Sequence, residues 1–217
     1  MSLSEAIENG YAAFASTPKP SKIDGCLCCS DFDLLCSLLA SPLRSLSADN
    51  LSKYASAVFL TQGSESDFRY FLPRLLEICA TEAGWWPSPE VLLGKLNLAH
   101  WKTWPPAQFG AVDAILKAWF ESLLNSGVSD ADLFRAHWDG DAVLCGLALA
   151  GAPLQPYLER LLEPAHANSL RALYWTNFSG KRRQVKLSNP FWSSNREAGA
   201  ELLAFLERPD IEARVAL

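Results

Sequence analysis

Leu51-Ser52-Lys53-Tyr54-Ala55-Ser56-Ala57-Val58-Phe59 places apolar side chains at 51, 54, 55, 58 and 59. That i, i+3, i+4, i+7, i+8 spacing lines one side of a helix, whereas a half-buried strand would alternate residue by residue. Leu154, Tyr157, Leu158, Leu161 and Leu162 repeat the pattern, and Phe109, Val112, Leu116, Trp119, Phe120 and Leu123 extend it into a longer helix after Pro105-Pro106. Proline suits the first turn, where its missing N–H has no helical partner.

Start signals add further helices. Ser4 precedes Glu5-Ala6-Ile7, Ser47 opens Ser-Ala-Asp-Asn, Ser88 precedes Pro89-Glu90, and Ser129 leads Asp130-Ala131-Asp132. Small hydroxyls accept from the first free N–H groups, and carboxylates complement the positive end of the helix dipole. Together these signals predict nine or ten helices, roughly over 4–16, 31–41, 48–61, 66–82, 88–100, 105–125, 129–138, 141–150, 153–176 with a break near Pro164, and 194–207. Within 66–82, Pro73 suggests that Asp67–Tyr70 form a turn and that the main helix begins near Leu72. Gln184-Val185-Lys186-Leu187 alternates too briefly beside Ser179-Gly180 and Asn189-Pro190 to read as a strand, so a basic loop is expected near 179–190. The fold class is all-α. Short Pro-, Gly- and Ser-bearing connections suggest antiparallel helix pairs, either an irregular HEAT- or armadillo-like stack or a compact multi-helix bundle, although no consensus recurs at a fixed period. The 217 residues are expected to form one helical domain, with a cysteine-bearing loop near 17–30.

With 49% hydrophobic and 20% charged residues the chain can bury a core, which argues against disorder. A net charge of −5 disfavours nucleic acid and anionic membranes and favours a cationic partner. The first residues lack the basic and apolar regions of a secretory signal, and no apolar run approaches the roughly 20 residues of a membrane span. A cytoplasmic location is the expectation, with cysteines as thiols or metal ligands.

Gly25-Cys26-Leu27-Cys28-Cys29 gathers three of the six cysteines. Cys26, Cys28 and Cys29 could hold zinc with Cys36, His100, His137 or His166 as a fourth ligand, could exchange disulfides, or could fill small apolar gaps beside a Gly25 turn. Cys36, Cys79 and Cys145 sit in apolar helical surroundings and read as small core residues.

The same segment, followed by Ser41-Pro42-Leu43-Arg44, Thr61-Gln62-Gly63 and Asp67-Phe68-Arg69-Tyr70-Phe71-Leu72-Pro73-Arg74, resembles a group of uncharacterised bacterial helical proteins. Their pattern reads G-C-P-C-C and later D-F-R-H-F-L-P-R. The resemblance spans roughly residues 10 to 80, departs at Leu27 (proline in the group) and Tyr70 (histidine), and implies no reaction. If that histidine completes a metal site in the group, Tyr70 removes it here.

Three other groups stand out. Trp85-Trp86, Trp101 and Trp104 could form an aromatic contact surface or fill the space between helices. Asp130, Asp132, Trp138, Asp139 and Asp141 could form an acidic docking patch, could act with His137 in acid–base catalysis, or could be helix caps and a turn. Lys181-Arg182-Arg183 with Lys186 is the single basic run. No nucleophile–base pair, phosphate loop or dinucleotide fingerprint accompanies them. The reading that fits is a non-enzymatic protein-binding module for a basic partner. By analogy this could be an immunity protein that covers a toxin; a zinc- or thiol-dependent protein centred on the cysteines is the alternative.

Overall fold

The computed structural model describes residues 1–28, 30–128, 139–179 and 184–216. Among them the protein is all-α, with eleven α-helices, four short 3-10 helices and a two-stranded hairpin. No helix among the described residues is long and apolar enough to cross a membrane. The chain divides into two compact units, Met1–Trp119 and Phe120–Leu217, and each is described by itself.

The first unit holds α1 (Leu3–Ala13), α2 (Phe32–Ala40), α3 (Ala48–Ala57), α4 (Glu65–Thr81), α5 (Pro89–Leu98) and the start of α6 (Pro106–Ser126). Helix α1 is capped two residues before the expected Ser4, because Ser2 Oγ accepts from Glu5 N at 3.2 Å and Glu5 Oε2 accepts from Ser2 N at 2.8 Å. That reciprocal pair satisfies two otherwise orphaned donors. The same device sets α4: Ser64 Oγ accepts from Asp67 N at 3.4 Å and Asp67 Oδ2 accepts from Ser64 N at 2.8 Å.

That cap corrects the reading of Asp67–Tyr70 as a turn. Pro73 lies inside α4, where its ring leaves the Arg69 carbonyl without its helical donor. Phe68, Phe71, Leu72, Leu75, Leu76 and Ile78 are all buried along the helix, and their packing outweighs the lost bond. Helix α4 is the centre of the unit. It packs against α1, α3 and α5, so α1 meets a helix from which α2 and α3 separate it in sequence. Lys95 of α5 is buried and donates from Nζ to Val58 O at 2.8 Å and Ser56 O at 3.3 Å, covering carbonyls at the end of α3. Burial pushes its ammonium pKa down.

The second unit contains α7 (Gly140–Leu149), α8 (Gln155–Leu161), α9 (Ala167–Thr176), α10 (Arg196–Leu206) and α11 (Pro209–Val215). The expected break near Pro164 is a 3-10 turn, Pro164–His166, between α8 and α9. Helix α11 is additional to the sequence expectation; Pro209 starts it, and Ile211 and Val215, four apart, bury one side. The reading of Gln184-Val185 as loop is corrected: it is a short strand antiparallel to Phe178–Ser179, with Phe178 opposite Val185 and Ser179 opposite Gln184. Asn177 holds its base: its carbonyl accepts from Lys186 N at 2.7 Å, its Oδ1 accepts from Ser188 N at 2.8 Å, and its Nδ2 donates to Leu173 O at 3.1 Å.

Candidate functional site

Two features of the first unit collect the residues singled out in the sequence. The first is the cysteine loop. Cys26 N donates to Thr61 O at 2.8 Å, Gly63 N donates to Asp24 O at 2.7 Å, and Ser30 N donates to Cys26 O at 2.9 Å. Gly25 faces Gln62 across an isolated antiparallel bridge. Gly-Cys-x-Cys and Thr-Gln-Gly, more than thirty residues apart in sequence, are thus one ribbon-like platform.

The turn that carries Thr61 is strained and braced. Phe59 has φ 65°, a left-handed conformation costly for a bulky residue. Its N–H donates to Gln62 O at 3.0 Å, and its ring meets Phe68 edge-on at 5.2 Å between centroids. Leu60 is turned outward at 70% exposure.

Cys26 and Cys28 are both exposed, and their Sγ atoms lie 3.0 Å apart. Cys29 lies outside the described residues. A tetrahedral zinc site takes four ligands, and these two sulfurs supply two of them. Among the described residues, no group of three or more His, Cys, Asp or Glu side chains is placed to hold a metal ion. The expectation that Cys36 is a core residue is corrected: Cys36 is exposed on α2, while Cys79 is half-buried and Cys145 buried.

Around this platform four large apolar side chains are exposed: Leu27 at 91%, Leu60 at 70%, Trp86 at 59% and Phe32 at 42%. Leu27 and Phe32 line one hollow of about 380 Å³ with Ile23, Leu35 and Cys36. Trp86 lines another of about 310 Å³ with Asp31, Leu34, Lys53 and Gln62. Of the tryptophans proposed as an aromatic surface, Trp86 is on the outside. Trp101 and Trp104 are buried, and Trp85 is half-buried with Nε1 donating to Ala48 O at 2.9 Å.

The second feature is an open groove of about 560 Å³ between α1, α4 and the 3-10 turn Leu43–Ser45, lined by Tyr11, Phe14, Pro42, Leu43, Tyr70 and Pro73 among others. Tyr70 lies here. Arg44 closes one edge with two 2.7 Å bonds to the Glu8 carboxylate and stacks 3.7 Å above the Tyr11 ring. The guanidinium holds the Glu8 carboxyl below the usual carboxylate range. Beneath, Tyr11 OH donates to Glu77 Oε2, which also accepts from Arg74 Nη1 at 2.7 Å, while Arg74 Nε donates to Leu46 O at 2.9 Å. Burial, then the Glu77 carboxylate, pushes the Tyr11 hydroxyl pKa up. Arg74 and Glu77 therefore hold the fold under the groove.

In the second unit, Asp139 and Asp141 are the members of the acidic group that fall among the described residues. Asp130, Asp132, His137 and Trp138 lie outside the described residues, as does the expected helix over 129–138. Asp139 is exposed at the start of α7. Asp141 is only 5% exposed, and its Oδ1 accepts from Asn177 Nδ2 at 3.0 Å and Trp192 Nε1 at 3.4 Å. It joins α7 to the hairpin base and to the 3-10 helix Pro190–Ser194. Asp141→Ala should therefore cost about 1–3 kcal/mol by stranding buried donors, measurable as a shifted urea midpoint at unchanged slope. Wild-type stability in that variant would contradict the geometry. Lys181, Arg182 and Arg183 also lie outside the described residues.

No family model matches the chain, and neither a curated protein nor a solved structure matches it.

Proposed function

We propose that this protein is a non-enzymatic protein-binding module whose contact surface is the apolar ring around the cysteine loop. The observation that supports it is the exposure of Leu27, Phe32, Leu60 and Trp86 on a backbone platform fixed by main-chain hydrogen bonds. Large rigid apolar groups exposed together are characteristic of surfaces that another protein covers, and a pre-ordered platform reduces the entropy lost on docking. Trp86 has the area expected of an anchor, and tryptophan is enriched among residues that dominate binding energy.

The occupant we propose is a basic protein. Exposed Asp24, Asp31 and Asp33 border the ring, the first two ion-paired with Lys22 and Lys53, and the chain carries a net charge of −5, which favours encounter with a cationic surface. Within that class, an immunity protein that neutralises a basic toxin by covering it is the finer reading.

Co-purification from the native host, comparing the natural chain with Leu27→Asp/Trp86→Asp, tests this. A stoichiometric basic partner is expected with the natural chain, its affinity falling by at least about 30-fold in the double variant, as loss of an anchor implies. Retention of the same partner at equal affinity would refute this surface, and turnover of a small molecule by the isolated chain would refute the class.

A further inference from the structure

We propose that Cys26 and Cys28 form a reversible dithiol–disulfide couple that exchanges with small disulfides of the glutathione class. The two sulfurs lie 3.0 Å apart, so closing a bond of about 2.05 Å requires a movement of roughly 1 Å. Both residues are exposed, and Leu27 between them is 91% exposed, so the pair does not serve as apolar filling. The loop is already ordered: Cys26 is held through its own N–H to Thr61 and through its carbonyl to Ser30, and the chain just before it is held by Gly63 N at Asp24 O. The ribbon thus keeps the two thiols together where an external disulfide can reach them.

The exchange balances without a further reactant. The thiolate of one cysteine attacks a sulfur of the small disulfide, forming a mixed disulfide and expelling one small thiolate, which takes up a proton. The second cysteine, as thiolate, then attacks the protein sulfur of that mixed disulfide. The Cys26–Cys28 bond forms and a second small thiol leaves. The protein gives up two electrons and two protons, and the small disulfide receives both.

To test it, the full chain is equilibrated across ratios of reduced and oxidised glutathione, quenched in acid, alkylated, and examined by intact mass and peptide mapping. The expected result is a single two-electron transition with the mapped link between Cys26 and Cys28. Cys29→Ser should leave that link intact, and Cys28→Ser added to Cys29→Ser should replace it with a glutathione adduct that persists on Cys26, since no neighbouring thiol of the loop is left. A link that uses Cys29 or Cys36, or Cys26 and Cys28 that stay alkylatable at every ratio, would overturn the proposal. The mapping of the natural chain decides the question even where a variant folds poorly.

Discussion

Phe71→Ala is expected to lower the stability of residues 1–119 by about 3–5 kcal/mol, the range for removing a buried aromatic ring. Phe71 is 0% exposed on α4, the helix against which α1, α3 and α5 all pack. Its ring meets Tyr54 at 4.9 Å and Tyr70 at 5.1 Å between centroids. The truncation leaves a void edged by Tyr54 of α3 and by Tyr70, whose own ring lines the groove beside Pro73. Helix α4 cannot move in to fill it, because the Ser64–Asp67 cap and the Arg74–Glu77–Tyr11 network hold it in place. Denaturant unfolding followed by circular dichroism would show a lowered midpoint. Phe32→Ala, on a side chain 42% exposed in the apolar ring, should change stability by less than about 0.5 kcal/mol. Equal effects at Phe71 and Phe32 would refute the assignment of Phe71 to the core and Phe32 to the surface.

The helices were legible because amphipathic spacing is a local signal that survives folding. The stretch from Leu51 to Phe59 does bury Leu51, Tyr54, Ala55 and Val58, although the helix expected to reach 61 ends at Ala57 and Phe59 turns left-handed. Pro73 misled because a strong breaker was weighed without the capping box that starts α4 upstream and the six buried side chains that sustain it; those contacts are tertiary. The hairpin at Phe178–Ser179 was hidden for the same reason, since its base rests on the Asn177 side chain and not on alternation. Of the site, the cysteine cluster was visible as composition. Its partner Thr61-Gln62-Gly63 carried no signal beyond a turn, because pairing across more than thirty residues is not written in spacing. Asp141 shows the reverse error. Its neighbours Asp139 and Gly140 mark a turn and helix start, yet the burial that makes Asp141 a structural acceptor depends on Trp192, fifty-one residues away.

Gly63→Val is expected to cost about 2–4 kcal/mol and to release the cysteine loop, since the left-handed conformation and overpacking penalise the same residue. Gly63 has φ +75°, and a Cβ there would lie 3.0 Å from Val58 Cγ2 and 3.4 Å from Tyr54, both in the core under the turn. Two comparisons separate these causes. Gly84 has φ +73° with open space where a Cβ would stand, so Gly84→Ala should cost only the backbone strain, about 1–2 kcal/mol. Gly110, in α6, has neither positive φ nor a close neighbour, so alanine there should stabilise by about 0.5–1 kcal/mol through helix propensity. Only Gly63 also supplies the N–H that holds Asp24 O at 2.7 Å. Its variant should therefore speed alkylation of Cys26 and Cys28 under native conditions, while Gly84→Ala leaves that rate unchanged. If both variants lose the same stability and neither alters cysteine reactivity, the Gly25–Gln62 ribbon does not hold the loop as the hydrogen bonds imply.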